Sequence, residues 1–377
     1  MVQAVRSLFS WKRFLLFLFA FAVLCVAVLR VPAIHRSVEL FSCRFLPADS
    51  ARTECVFTVI GNELRDTTTG DAMKVLVNAL PILPRAIDGC HTYAHRVGDI
   101  AYYHLYVFNP DSVAFTYSQE STVCDYGFYH GFYEHFFQER PGLSSIVETC
   151  SALPSGPEPH RRVIRQTCFH GAGHGLVFAQ VDKLTSRDWG NIHAFTDAPL
   201  AICSQLSGLK PDEFVRCPLG VFAVIAQSRL TKDYGFSFSG PAEERFKDCL
   251  TFTPAYRNAC ILTNSLVAQL PFGVDGAFAS CEALESRDAV VSCVKGIILG
   301  LFVNGADKER VSSGLSFCAS SGVAKRDATH DCYLMLEWAL AAYFPEEQQR
   351  QLCTLFPSYY SDRRCFAMEG EILLDGL

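Results

Sequence analysis

Eight apolar runs recur along the chain, each with the length and composition of a buried helix. Ala, Leu, Phe and Ile dominate them, and a polar amphipathic segment precedes several of them. Their starting positions lie 33 to 49 residues apart, a period typical of stacks of paired helices. The pattern predicts an all-α fold of repeated helix hairpins, an α-solenoid-like array. The runs begin at Cys90, Cys124, Cys168, Cys217, Cys260, Cys293, Cys332 and Cys365.

A second cysteine precedes most of these runs by 11 to 18 positions. Cysteines at a recurrent spacing predict a disulfide framework, in which each bridge joins the end of one helix to the start of the next. Cys43 and Cys55 match this separation, which leaves Cys90 and Cys124 to join consecutive helices, and Cys25 is expected to be a free thiol. The predicted bridges are Cys43–Cys55, Cys90–Cys124, Cys150–Cys168, Cys203–Cys217, Cys249–Cys260, Cys281–Cys293, Cys318–Cys332 and Cys353–Cys365.

The helix–disulfide–helix arrangement resembles that of exported helical repeat proteins of the Sel1 or TPR type. The consensus residues of those repeats are absent, so the resemblance implies an architecture and assigns no residue a role. Glycines also recur three and seven places after some of the cysteines that open a run. Because residues four apart share a helix face, these glycines predict close packing between helices. They are Gly127, Gly131, Gly171, Gly175, Gly296 and Gly300.

The N-terminus has the pattern of a membrane signal anchor. Arg6, Lys12 and Arg13 precede an uninterrupted apolar run over 14–29, and no A-x-A cleavage site follows it. The positive flank predicts a cytoplasmic N-terminus and export of the rest of the chain, in agreement with the compartment in which disulfides persist. The predicted segments are a basic N-terminus at 1–13, a transmembrane anchor at 14–31, a stalk at 32–55 and one extracytoplasmic domain at 56–377, with histidine-bearing repeats at 90–180 and plain repeats at 181–377.

Charge excludes one class of partner. Residues 1–40 carry five Lys or Arg and one Glu, so the net charge of −6 becomes −10 for the remainder of the chain. Phosphate binding needs a basic face, and no basic stripe occurs in this remainder. The predicted partners are therefore the membrane, through the anchor, and a protein or peptide on a concave face of the array, with no nucleic acid.

Histidines are concentrated in the first three runs, which read CHTYAHRVG, CDYGFYHGFYEH and CFHGAGHG. In each run two side chains that bind metals stand four residues apart, which places them on one face of a helix. Neutral imidazole is a ligand for zinc, copper, nickel and iron. The H-E-x-x-H signature is absent, and His135 is expected on another face. The candidate ligands are His91, His95, His130, Glu134, His170 and His174.

Two functions are consistent with this pattern. In the first, the six residues form one metal site or two adjacent sites that hold zinc, copper or iron, in a metal-dependent enzyme or a metal carrier. Glu134 would then be a ligand or the base that activates a metal-bound water. In the alternative, the protein is a non-catalytic interaction scaffold and the histidines are structural. Packed helices usually lie about 8–10 Å apart, a separation at which equivalent histidines would meet only if the array curved.

Overall fold

The computed structural model describes residues 39–84, 90–107, 124, 126–153, 159–206, 208, 211–303, 308–344 and 346–357. Within these ranges every regular element is a helix, as the apolar pattern predicts. The chain divides into two compact units, Met1–Pro84 and Arg85–Leu377. The predicted single domain at 56–377 stays a prediction from the sequence.

In the first unit, helix α1 (Asp49–Asp66) packs against helix α2 (Thr69–Ala79). Thr68 caps α2, since its side chain accepts a hydrogen bond from the backbone N–H of Asp71. The core of this unit is aliphatic, and the Cys43–Cys55 disulfide joins a helical turn at 39–43 to α1. Part of the segment predicted as a stalk is therefore helical and cross-linked.

The second unit contains the remaining α-helices of the described chain. A π-helical segment, Tyr102–Val107, continues the first of them, and three short 3₁₀ turns lie between Asp233 and Thr251. The helices are α3 (Cys90–Ala101), α4 (Gly127–Glu139), α5 (Leu143–Ala152), α6 (Pro159–Val181), α7 (Ile192–Ser204), α8 (Pro211–Phe214), α9 (Arg216–Thr231), α10 (Pro254–Glu282), α11 (Arg287–Val303), α12 (Lys308–Cys318), α13 (Ser321–Lys325), α14 (Thr329–Tyr343) and α15 (Glu346–Cys353).

The helices that carry the apolar runs pack in chain order. Helix α3 lies against α4, α4 against α6, α6 against α9, α9 against α10, α10 against α11 and α11 against α14. Their contact faces contain the buried hydrophobic residues, among them Phe128, Phe169, Phe222 and Phe302. Each run therefore buries its surface against the preceding and the following run, so the first three runs are neighbours.

Seven disulfides connect the helices in the described part of the chain. They are Cys43–Cys55, Cys90–Cys124, Cys150–Cys168, Cys203–Cys217, Cys249–Cys260, Cys281–Cys293 and Cys318–Cys332, and each joins two cysteines that the spacing pairs. Cys353 is disulfide-bonded as well, and its predicted partner Cys365 lies outside the described residues. A framework of this density indicates an oxidising, extracellular type of environment.

The helix boundaries differ from the predicted hairpins in one respect. The first cysteine of a pair lies at or near a helix end, as at Cys150 and Cys318, but the second often lies inside its helix, as Cys168 does in α6. Helix α10 also combines the second helix of one hairpin with the first helix of the next. A kink at Gly273, which has φ of +68° and follows Pro271, separates its two halves. Successive hairpins therefore share an element, and a Sel1 or TPR repeat is not visible.

Glycines bring neighbouring helix backbones into direct contact. A Cβ atom at Gly98 would lie under 3.0 Å from the carbonyl oxygen of Phe128, and one at Gly296 would lie equally close to the carbonyl oxygen of Leu262. Real Cβ atoms essentially never approach that closely, so only a residue without a Cβ fits there. The glycine spacing therefore marks the contact faces of both α4 and α11.

The predicted anchor at 14–31, together with Cys25, lies outside the described residues. Among the helices that are described, none combines the length and apolarity needed to cross a membrane.

The close packing at Gly296 leads to a stability prediction. We expect Gly296→Ser to lower the free energy of unfolding by about 1–3 kcal/mol, because the new Cβ would push α11 away from α10. The matched control is Gly142→Ser, since nothing lies within 4 Å of a Cβ at Gly142 and serine is a good N-cap residue for α5. Chemical denaturation followed by circular dichroism measures both. Equal stabilities would show that α10 and α11 are not in backbone contact.

Candidate metal centre

Three neighbouring helices supply the candidate residues. In α3 the buried face is formed by Ala94, Val97 and Ala101, which leaves His91 and His95 on another face of the helix. Helix α4 begins at Gly127, directly after Tyr126 in the left-handed conformation (φ of +57°). Helix α6 continues for 23 residues and carries the third pair in its second half. Because α4 packs between α3 and α6, all three pairs face a common region.

Glycines in α4 and α6 set the distance between these helices. A Cβ at Gly131 would collide with the carbonyl oxygen of His95, and one at Gly127 would collide with that of His91. Gly175 lies in the same way against the carbonyl oxygen of Glu134. The candidate residues are thus next to the points of closest backbone approach. Equivalent histidines meet for this reason, although they would be held apart at the usual spacing of about 8–10 Å.

His95, Glu134 and His174 form a group that can hold a metal ion. One ligand atom from each lies within 4.8 Å of the other two. The Glu134 Oε2 atom is 3.3 Å from Nε2 of His95 and 2.9 Å from Nδ1 of His174. Metal–ligand bonds of about 2.0–2.2 Å place adjacent ligand atoms about 3 Å apart. Two of the three distances therefore match the spacing of ligands around one ion, and the third is within 4.8 Å.

The other three candidate residues lie one helical turn away. His130 Nδ1 is 3.1 Å from Nε2 of His91, and His174 Nε2 is 3.1 Å from Nε2 of His170. The ring centroids of His130 and His170 are 4.8 Å apart. All six predicted residues thus belong to one continuous cluster that spans α3, α4 and α6.

Asp99 and His135 also belong to the cluster, although the sequence reasoning omitted them. The Asp99 Oδ1 atom is 3.6 Å from Nδ1 of His95 and 3.4 Å from Nε2 of His135. Asp99 stands four residues after His95, so the same spacing that selects the histidine pairs also points to it. His135 lies on a different face of α4 from Glu134, as expected, and is connected to the centre through Asp99.

The centre is sheltered but open to solvent. The side chains of His95, Glu134 and His174 are 21%, 13% and 14% exposed. The three side chains therefore lie near the surface of the second unit and are not deep in its core. Aromatic residues of α4, including Phe128 and Phe132, are fully buried behind it and form its apolar support.

Charge divides the cluster into two parts. Burial alone would lower the pKa of His95, but the carboxylates of Glu134 and Asp99 outweigh burial and raise this pKa to about 10. Burial would likewise raise the pKa of Glu134, yet its histidine neighbours hold it well below the usual range. His95 and Glu134 are therefore an ion pair in the metal-free protein. The proton on His95 supplies a positive charge that a bound metal ion could supply instead.

In the second part of the cluster, His130 and His170 are neutral imidazoles. Burial, followed by the charge of the neighbouring histidines, lowers the pKa of His130 well below 6.5, and burial together with His174 and Arg216 has the same effect on His170. Neutral imidazole is the form that binds metals.

Comparisons with protein-family models, with curated proteins and with solved structures find no match to this chain. The assignment of the site therefore depends on its geometry and chemistry.

The lowered histidine pKa values predict acid sensitivity of the metal-free protein. The unfolded chain takes up protons on its histidines near pH 6.5 while folded His130 and His170 stay neutral, so stability falls as the pH drops below 6.5. The raised pKa of His95 contributes stability that is complete below pH 6.5 and declines only as pH rises toward 10, so it does not affect this window. We expect each of the two histidines to cost about 1 kcal/mol per pH unit between pH 6.5 and 5.0, a combined loss of about 2 kcal/mol per pH unit.

Denaturant titrations at several pH values in the presence of a chelator measure this loss. The His130→Gln/His170→Gln variant removes both titrating groups, so its stability should change much less over the same interval. The same pH slope in this variant and in the wild type would contradict the assignment.

Proposed function

We propose that the protein binds a transition-metal ion at His95, Glu134 and His174 and uses it in an oxidising, extracytoplasmic compartment. The observation that carries the proposal is the convergence of these three ligand atoms within 4.8 Å, although they come from three separate helices. Interaction scaffolds do not require such convergence. The seven disulfides of the described chain support the compartment.

The donor set favours zinc, with iron as the next choice. Two imidazoles and one carboxylate are the protein ligands of several catalytic zinc sites, in which a water occupies the fourth position. The same set in a facial arrangement binds non-haem iron. Three protein ligands would leave at least one coordination position for water or a substrate. We infer a metal-dependent activity in which the ion polarises a substrate or activates water, and not a purely structural site.

The position of Glu134 favours a role as ligand over a role as base. Its Oε2 atom contacts ring nitrogens of both His95 and His174, so all three atoms would be neighbours around a common ion. A general base would instead stand beyond the ion, within reach of the bound water. Asp99 would act behind the site, because it contacts the ring nitrogen of His95 that faces away from Glu134.

The order in which the helices pack also supports a proposal for the architecture of the protein. The serial contacts from α3 to α14 support an α-solenoid-like array of hairpins. The apolar segment 14–31 would tether this array to a membrane. A protein or peptide partner on a concave face stays a prediction from the sequence.

The primary test is zinc binding. We expect the wild-type chain, stripped with a chelator and dialysed against zinc, to retain zinc, and His95→Ala/His174→Ala to retain one equivalent less, because two of the three ligands are gone. Elemental analysis of the purified protein measures both. The control is His193→Ala, since His193 pairs with Asp197 and Thr251 in a separate part of the second unit. Absence of zinc from the wild type, or equal content in all three proteins, would contradict the proposal.

The contact between Asp99 and His95 gives a second prediction. Outer-shell carboxylates orient a histidine ligand and raise its basicity, and their loss typically costs 10–100-fold in metal affinity. We therefore expect Asp99→Asn to weaken zinc binding by roughly this factor while the number of bound ions stays the same. Competition with a chromophoric chelator measures the affinity. An unchanged affinity would remove Asp99 from the site.

A further inference from the structure

The six candidate residues form two layers of three, displaced by one helical turn. Each of the helices α3, α4 and α6 contributes one residue to each layer, because the two members of every pair stand four residues apart. The carboxylate layer consists of His95, Glu134 and His174. The imidazole layer consists of His91, His130 and His170. Four residues at a rise of 1.5 Å separate the layers by about 6 Å along the helices.

The same glycine contacts set the helix distance in both layers. Gly131 and Gly175 lie against the carbonyl oxygens of His95 and Glu134, and Gly127 lies against the carbonyl oxygen of His91. Within the imidazole layer, the ring centroids of His91 and His130 are 4.9 Å apart and those of His130 and His170 are 4.8 Å apart.

Two ring nitrogens of the imidazole layer have the separation of ligand atoms. His130 Nδ1 lies 3.1 Å from Nε2 of His91, which is the distance between two nitrogens bound to one ion at about 2.0–2.1 Å. His91 donates its Nδ1 hydrogen to the carbonyl oxygen of Cys124 at 3.1 Å, so the lone pair of Nε2 points into the layer. A backbone hydrogen bond to Arg216 holds His170 in the same way. Carbonyl partners of this kind fix the tautomer of metal-binding histidines.

On these grounds we propose that His91, His130 and His170 hold a second metal ion beside the one in the carboxylate layer. The inference rests on the proposed function, because it assigns the remaining three residues of the same cluster to an ion of their own. Three imidazoles without a carboxylate form a site for zinc or copper. His174 connects the two positions, since its Nδ1 faces Glu134 and its Nε2 faces His170.

The number of bound zinc ions tests this inference on the full chain with its disulfides intact. After removal of metal with a chelator, the protein is dialysed against zinc and analysed for its zinc content. We expect two equivalents in the wild type, one in the imidazole-layer variant His91→Ala/His170→Ala and one in the carboxylate-layer variant His95→Ala/Glu134→Gln. His193→Ala, which changes a histidine outside the cluster, should retain two. Circular dichroism and thiol titration establish that each variant is folded and oxidised.

The outcomes separate the inference from the function on which it rests. One equivalent in the wild type, lost only in the carboxylate-layer variant, would overturn the second site and leave the proposed function intact. If the wild type binds one equivalent and each of the two variants binds none, a single site is built from both layers. This result would equally overturn the inference. No zinc in the wild type would overturn both. If the imidazole-layer variant does not fold, cobalt titration of the wild type decides, because its absorption should saturate at two equivalents and not at one.

Discussion

Direct contact between helix backbones is the constraint on which the centre depends. Helices that carry ordinary side chains at their interface usually lie about 8–10 Å apart, and a shorter distance lets equivalent side chains of neighbouring helices meet more readily. In α4 and α6 glycine replaces those side chains, and the carbonyl oxygens of His95 and Glu134 occupy the space that a Cβ would need. The same close approach occurs at Gly296 between α10 and α11, where no histidine is present. The close contact is thus a general property of the fold. In α3, α4 and α6 it also brings the candidate metal ligands together.

The disulfides maintain this contact. A loop of 12 to 18 residues closed by a disulfide stabilises the folded state by about 3 kcal/mol in the chain-entropy model. The Cys90–Cys124 and Cys150–Cys168 bridges lie close to the cluster, on α3 and α6, and oppose the separation of the helices. Such support is needed, because the centre places an ion pair of His95 and Glu134 next to neutral imidazoles. Burial of charge is costly unless each group keeps its partners.

Much of the fold and of the candidate site could be predicted from the sequence. The 33- to 49-residue period predicted the helices, and the cysteine spacing predicted pairs that the structure forms, including Cys281–Cys293. The four-residue spacing selected the six members of the cluster. Two kinds of detail could not be predicted. Helix α10 crosses a hairpin boundary, because Pro271 and Gly273 produce a kink and not an end. The position of Asp99, four residues after His95, shows that they share a helix face but not that His135 of a neighbouring helix meets them there.

By itself the sequence determined which residues share a helix face, since the spacing of four residues is a property of the helix and requires no other part of the chain. It also determined the oxidising compartment, through the number and rhythm of its cysteines. Only the tertiary structure decided that the three faces meet. That outcome depends on the distance between helices, which is set by the contacts of Gly127, Gly131 and Gly175 with carbonyl oxygens on neighbouring helices. Those contacts join residues up to about 40 positions apart, and no local pattern specifies them.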